Sequence, residues 1–315
     1  MNEKVFQRIR DRIQAERGLI AVSAHENPDG DAIGSALGFY LFLKKKGLKS
    51  LPVCVTPVPQ RYDFLPGFSD FTREIPRETS LLVIIDAPDA GRLGVNWEGP
   101  AVRIDHHEEG LVNDLTIQDT AAASTGSILL DFIRAWDQSA VDADIATCLY
   151  TAILTDTNSF NIRTDSGVFQ DAAWLVQKGV DPVRVAGFVY RRRTEAYMRL
   201  LGRALSRLSF EMDGAFAFMV LRREDFQATG ARGHEAENLV EFPFSVEGVM
   251  IAAKVQQDRD RWRISLRSKD PFSAERIAKA FGGGGHMNAA GAVVSGELSD
   301  VIVRLRAEVK KELGI

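Results

Sequence analysis

Three of the five histidines in this 315-residue chain stand in two short acidic clusters. The first cluster is His25-Glu26-Asn27-Pro28-Asp29-Gly30-Asp31, and the second is Asp105-His106-His107. Asp86 follows the apolar run Leu81-Leu82-Val83-Ile84-Ile85, and Asp156 follows Ala152-Ile153-Leu154-Thr155. Imidazole together with carboxylate is the ligand set of hydrolytic sites for divalent metals. Taken singly, each aspartate reads as a turn residue or helix cap. That reading accounts poorly for the whole set, because every member adjoins a predicted core element.

The spacing suggests roles. His25 and Asp29 are four residues apart and can grip one ion, while Asp31 reaches a second. Gly30 supplies backbone freedom for the turn between them. Asp86, at the end of a strand, is placed to bridge the ions. His106 can bind the second ion, its ring fixed by Asp105 or a backbone carbonyl, and Asp156 completes that shell. His107 is left to face substrate. Two ions about 3.5–4 Å apart, sharing a carboxylate, are an established solution for phosphoryl hydrolysis. The mixed donor set suits two Mn²⁺ better than Mg²⁺, with Zn²⁺, Co²⁺ and Fe²⁺ as alternatives.

A second signal lies late in the chain. Gly282-Gly283-Gly284-Gly285-His286 follows a predicted helix and opens a predicted loop. One glycine would make an ordinary helix stop. A run costs more backbone entropy and makes sense where N–H groups must approach a phosphate, with His286 donating to the same anion. The alternative is a flexible turn. His234 reads as plain surface.

The elements that must position these residues alternate. Helices are predicted near residues 5–17, 32–46, 124–135, 142–154 and 166–178, with Ser124 as a candidate N-cap. Strands are predicted near 19–24, 49–55, 81–85 and 101–104, and Pro52 weakens the second of them as an interior strand. This is an α/β pattern with an open parallel sheet. His25, Asp29, Asp31, Asp86 and Asp105-His106-His107 then fall just after its strands, where such sheets gather their ligands, and Asp156 falls at the end of a helix. A charged stretch at 185–205, containing Arg191-Arg192-Arg193, reads as a linker helix with a solvated basic face; the sharper reading is a basic wall beside an anionic substrate. A smaller α/β domain follows. In it, Arg261-Trp262-Arg263-Ile264-Ser265-Leu266-Arg267 alternates strictly, with the arginines facing out. Ser273 and Ser299 are candidate caps for the last two helices. The expected boundaries are 1–185, a linker at 186–206, and 207–315.

Bulk properties set limits. Apolar residues make up 45% of the chain, enough for two cores. No apolar run approaches the roughly 18 residues a membrane span needs. The opening residues do not read as a secretory leader, and Cys54 and Cys148 sit in apolar surroundings. Buried thiols in a reducing, cytoplasmic setting are therefore expected. The formal charge of −4 argues against long duplex nucleic acid as a partner, but not against a short nucleotide in a local basic pocket.

Together, His25-x-x-x-Asp29-x-Asp31, Asp86, Asp105-His106-His107 and Gly282-Gly283-Gly284-Gly285-His286-x-x-Ala289-Ala290-Gly291 resemble the DHH phosphoesterases that carry a DHH-associated domain. The resemblance runs over nearly the whole chain. Length and arrangement are most similar to the branch of oligoribonucleases and 3′-phosphoadenosine-5′-phosphate phosphatases. It implies two lobes around a cleft, with His25, Asp29 and Asp86 on one Mn²⁺ and Asp31, Asp86, His106 and Asp156 on the other. It also implies His107 at the scissile phosphate, with Asp105 as a further catalytic residue. Arg267, His286 and the glycines Gly283, Gly284 and Gly285 would hold the rest of a short RNA or small nucleotide, and a homodimer would be common. Asn238 and Glu241 depart from the family pattern, which puts substrate length and base preference in question. Competing readings are a phosphodiesterase for cyclic or linear dinucleotides and a nucleotide-binding regulator without activity.

Overall fold

The computed structural model describes residues 3–110 and 112–315; the side chains of His234 and Glu237 lie outside the described set, as does the surface reading of His234. The chain divides into two compact units, Met1–Arg192 and Arg193–Ile315.

The first unit runs α1 (Glu3–Gln14), β1 (Leu19–Ser23), α2 (Gly30–Lys45), β2 (Ser50–Val53), β3 (Thr79–Ile85), β4 (Ala101–Asp105), β5 (Thr116–Gln118), α3 (Thr125–Asp137), α4 (Ala143–Asp156), α5 (Ser166–Gln177) and α6 (Pro182–Arg191). Its strands form a five-stranded sheet in the order β2-β1-β3-β4-β5, parallel throughout. Pro52 lies on the edge strand β2, where a missing donor is tolerated. Ile20, Val22, Leu81, Val83, Ile85, Val102 and Ile104 pack with residues of the helices into the main core. Ala21, Leu82 and Ile84 face the other side and are covered by Ala87, Leu93 and Trp97 of the β3–β4 connection. Burial on both faces is why β3 is an unbroken apolar run. β5 was not anticipated; three residues are too short for a periodic signal.

Close approach of α2 and α4 sets the geometry that matters most for function. A Cβ on Gly30 would lie 2.4 Å from Thr155 Oγ1, and one on Gly34 would lie 2.5 Å from the Cys148 carbonyl oxygen. Glycine is required there because nothing larger fits; overpacking such a contact costs about 1–3 kcal/mol. Gly30 is thus explained by packing and not by the backbone freedom the sequence suggested. Its neighbour Asp31 is drawn toward Asp156, the residue after Thr155.

The second unit contains α7 (Glu195–Leu205), β6 (Ser209–Glu211), β7 (Phe216–Leu221), α8 (Arg223–Thr229), a 3₁₀ segment (Gly233–Val240), α9 (Glu241–Phe244), β8 (Ile251–Asp258), β9 (Arg261–Ser268), α10 (Ala274–Ala280), β10 (Gly284–His286), β11 (Ala289–Ser295) and α11 (Leu298–Leu313). Its six-stranded mixed sheet has the order β10-β11-β9-β8-β7-β6, and only β7 and β8 pair in parallel. Trp262, Ile264 and Leu266 face the core shared with α10 and α11, as their alternation predicted.

Three expectations are corrected. The stretch at 185–205 is two helices and not one: the chain leaves α6 at Arg192, and Thr194 caps α7 by accepting from the Tyr197 N–H. Within the triplet, Arg192 is committed to Asp63, and Arg193 lies over the Tyr197 ring. Glu297, not Ser299, occupies the N-cap of α11. The glycine run opens a hairpin strand, β10, and not a loop. Ser124 and Ser273 do cap α3 and α10, each accepting from the N–H three residues on. Cys54 and Cys148 are buried, free thiols, and no helix among the described residues is long and apolar enough to cross a membrane.

Candidate metal centre

The carboxyl ends of β1, β3 and β4 deliver the first ligand candidates, the placement expected for an open parallel sheet. His25 follows β1, and its Nδ1 lies 2.8 Å from the Glu26 carbonyl oxygen. Donation there leaves a lone pair on Nε2, which points to Asp86 Oδ2 at 3.7 Å. Asp29 caps α2, with Oδ1 accepting from the Ala32 N–H at 3.0 Å, so its other oxygen is available to an ion. Asp86 is buried at the end of β3 with φ of 57°. A non-glycine residue in that left-handed region is strained, and such strain concentrates at functional sites. His106 Nε2 lies 3.6 Å from Asp86 Oδ1 and 3.7 Å from Asp156 Oδ2.

Asp31 sits in the first turn of α2, but its carboxylate serves a different helix. Oδ2 accepts from the Thr125 N–H at 2.7 Å and Oδ1 from the Gly126 N–H at 2.9 Å, both at the start of α3. Ser35 Oγ adds a third donor at 2.9 Å. The positive end of α3 therefore holds Asp31 in place. The Thr125 hydroxyl also donates to Asp86 Oδ1 at 2.8 Å. Thr125, Gly126 and Ser35 were missed by sequence reasoning; the one available hint was Ser124 as the cap of the helix that carries two of them.

His107 has a different setting. Asp105 Oδ1 accepts from both its Nδ1, at 2.8 Å, and its backbone N–H, at 3.2 Å. Buried Arg103 holds the other Asp105 oxygen at 2.7 Å and donates to the carbonyls of Ala87 and Glu109. Asp105, expected to brace His106, thus braces His107. Burial pulls the His107 imidazole down, but Asp105, then Asp86 and Asp156, outweigh it and raise its pKa to about 9. Burial likewise raises Asp105, yet hydrogen bonds from His107 and Arg103 hold it below the usual carboxylate range. In the metal-free site the contact with Asp105 thus favours the protonated ring of His107.

The remaining acids fit a cation. Burial, then repulsion from Asp86, Asp156 and Asp29, pushes Asp31 well up. Burial and Asp29 raise Asp86 to about 6; burial, Asp29 and Asp86 raise Asp156 to about 8. Asp156 ends α4, where the helix dipole disfavours an anion, and its buried Oδ2 accepts no hydrogen bond from any described residue. Among the described residues, three overlapping groups have ligand atoms within 4.8 Å of one another: His25, Asp29 and Asp86; Asp31, His106 and Asp156; and Asp86, His106 and His107. Asp86 and His106 each belong to two of them. Divalent ions would relieve the repulsion and satisfy the orphaned oxygen.

In the second unit, His286 pairs with Ala289 across β10 and β11, and Ala289 pairs with Arg267 across β11 and β9. Directly opposed residues share a face, so His286 and Arg267 flank one small side chain. Arg267 Nε donates to Glu241 Oε1 at 2.6 Å. Local structure explains three of the four glycines. Gly282 has φ of 75°, a Cβ on Gly283 would lie 2.1 Å from the Gly291 carbonyl oxygen, and Gly285 has φ of 139°. Gly284 is exposed, and a Cβ there meets nothing. Only Gly284 lacks a local reason to be glycine.

The DHH family, N-terminal domain, matches residues 19–153, and the DHHA1 domain matches residues 216–314. The bifunctional oligoribonuclease and PAP phosphatase NrnA of Thermus thermophilus is 32% identical, over 96% of this chain and 92% of that protein. The chain belongs to the DHH/DHHA1 family. The cyclic-di-AMP phosphodiesterase GdpP of Bacillus subtilis is 26% identical over 96% of this chain, which spans about half (49%) of that longer protein. An exopolyphosphatase-related protein from Bacteroides fragilis superposes with a TM-score of 0.91 at 25% identity, covering 98% of this chain and 96% of that one.

Within this DHH/DHHA1 chain, all six residues expected as ligands fall in the overlapping groups, and His107, expected to face substrate, falls in one of them as well and is held by Asp105. Arg267, His286 and the glycines belong to the other unit. Besides Thr125, Gly126 and Ser35, sequence reasoning missed Arg103 and Arg163 beside the site.

Proposed function

We propose that this protein hydrolyses short oligoribonucleotides to mononucleotides and removes the 3′-phosphate of 3′-phosphoadenosine 5′-phosphate. The observation that carries the chemistry is the sharing of Asp86 between two ligand groups, one with His25 and Asp29 and one with His106 and His107. The substrate class is supported by similarity to NrnA over nearly the full length of both chains.

In this reading His25, Asp29 and Asp86 would hold one divalent ion, and Asp31, Asp86, His106 and Asp156 would hold another. Mn²⁺ is the preferred metal for the mixed donors, with Mg²⁺, Co²⁺ and Fe²⁺ as alternatives. Such a pair supplies an activated water and neutralises charge on the phosphate. His107 presents Nε2 to a phosphate oxygen, its ring oriented by the Asp105 carboxylate at Nδ1. Arg103 keeps Asp105 ionised and aimed. Arg267, His286 and the backbone at Gly283, Gly284 and Gly285 contact the remainder of the substrate, so short substrates are preferred over long ones. Residues 1–185 as catalytic domain and 207–315 as substrate domain, a homodimer, and a cytoplasmic setting belong to the same proposal.

Parallel assays with Mn²⁺ on ribonucleotides of two to five units, 3′-phosphoadenosine 5′-phosphate, cyclic di-AMP and a 20-mer test this reading. The expected order places dinucleotides and the bisphosphate well ahead of the others. Turnover confined to cyclic di-AMP would replace it with the phosphodiesterase reading that the likeness to GdpP supports. Nucleotide binding without turnover would make the chain a regulator.

A further inference from the structure

Arg163 has no assigned role, yet it is the cation nearest the orphaned ligand oxygen. Its Nη1 lies 3.5 Å from Asp156 Oδ2 and 3.3 Å from His106 Nδ1. The side chain is 34% exposed, so one edge of the guanidinium meets solvent beside the centre. The turn that delivers it is built and not slack. Asn158, Ser159, Phe160 and Arg163 all have positive φ, between 46° and 62°. The Phe160 N–H bonds Thr157 Oγ1 at 3.1 Å, and its ring stacks on Phe169 at 5.5 Å.

We infer that Arg163 has two positions: it rests against Asp156 and His106 when the centre holds no metal, and it turns to a substrate phosphate oxygen when the ligands are engaged. The inference rests on the proposed phosphoesterase reading. His106 Nε2 faces Asp86 and Asp156, and Nδ1 faces Arg163. An imidazole that gives its Nε2 lone pair to an ion carries its proton on Nδ1. Nδ1–H and a guanidinium N–H are both donors and cannot share a hydrogen bond. Asp156, once it ligates, has less charge left for Arg163. Both present partners are thereby withdrawn together, while the strained turn keeps the guanidinium beside the centre. The anion that then approaches is the substrate phosphate, whose oxygens suit the planar donor fork.

The two positions produce opposite effects on substitution. A residue of purely structural importance would weaken metal binding and catalysis together. Metal-stripped wild type, Arg163→Gln and Arg163→Lys would be titrated with Mn²⁺, free ion being read by electron paramagnetic resonance, and assayed on a ribodinucleotide. Arg163→Gln is expected to bind the weaker Mn²⁺ about threefold tighter, since a competing charge is removed. It should also lose about tenfold or more in kcat/KM, since a charge-assisted phosphate contact is lost. Arg163→Lys should keep near wild-type metal affinity and intermediate turnover. Thermal melts verify folding, and Arg163→Lys carries the comparison if the glutamine variant does not fold. Metal affinity unchanged or weakened in Arg163→Gln, or turnover equal to wild type, would overturn the inference. Absence of turnover in the wild type would instead sink the proposed function, leaving the metal titration to judge the first position of Arg163.

Discussion

The Thr125 hydroxyl donates to Asp86 Oδ1 across 2.8 Å, tying the first turn of α3 to the end of β3. The bond fixes the carboxylate that two ligand groups share. Thr125→Val keeps the volume and removes the donor. It is expected to weaken Mn²⁺ binding by about tenfold or more, the usual cost of losing such an outer partner. Thr125→Ser should restore most of the affinity. Metal titration of the three proteins checks this; equal affinity in Thr125→Val would show that Asp86 needs no such anchor.

Stability of the metal-free protein should fall as pH rises. Asp86 and Asp156 are raised from 3.8 to about 6 and about 8, and Asp31 moves the same way. Their protons are bound more tightly in the fold than in the unfolded chain. That contribution is complete below about pH 4 and is lost as pH passes each folded value. His107, raised from 6.5 to about 9, acts in the same sense at higher pH. Urea midpoints in chelator should therefore decrease from about pH 5 to pH 9. Mn²⁺ should reverse the trend, because it binds the ionised ligands. A midpoint that climbs with pH in chelator would mean the acids do not repel one another as placed.

Adjacent glycines should fail differently. Gly283→Ala forces a Cβ to within 2.1 Å of the Gly291 carbonyl oxygen and should destabilise the second unit by about 1–3 kcal/mol. Gly284→Ala meets nothing and should leave the melting temperature unchanged. If its N–H approaches a ligand, KM should rise with kcat retained. Wild-type KM in Gly284→Ala would remove the glycine run from the substrate site.

Glu241 already occupies the Arg267 guanidinium that the reading assigns to substrate. An incoming phosphate must compete with that carboxylate. Glu241→Gln is expected to lower KM for 3′-phosphoadenosine 5′-phosphate several-fold, and Arg267→Ala to raise it. A small activated phosphodiester that does not reach Arg267 should respond to neither change. Steady-state kinetics on the two substrates decides the matter: parallel shifts on both would mean that Arg267 acts through the fold.

Much of the centre was legible because His25, Asp86 and His106 lie just after strands. The β-branched run ending at Asp86 reads as a core strand, and parallel sheets project ligands from carboxyl ends. The alternation in β9 likewise oriented Arg267 without a structure. β10 and β11 were not foreseen, because glycine and alanine carry little periodic signal. Gly30 was noticed for the wrong reason: its value lies in the side chain it lacks beside Thr155, a residue of another helix.

By itself, then, the sequence determined the chemical types, their order along the chain and their attachment to strand ends, because these follow from local periodicity and residue chemistry. Tertiary structure alone decided the partners. Thr125 reaches Asp31 and Asp86, Arg103 holds Asp105, Arg163 lies beside Asp156, and Glu241 holds Arg267. Threonine and arginine serve equally well on any surface, so their type carries no signal. What gives them a role is the charge brought alongside when helices and strands pack, and most of those contacts join segments that local pattern cannot connect.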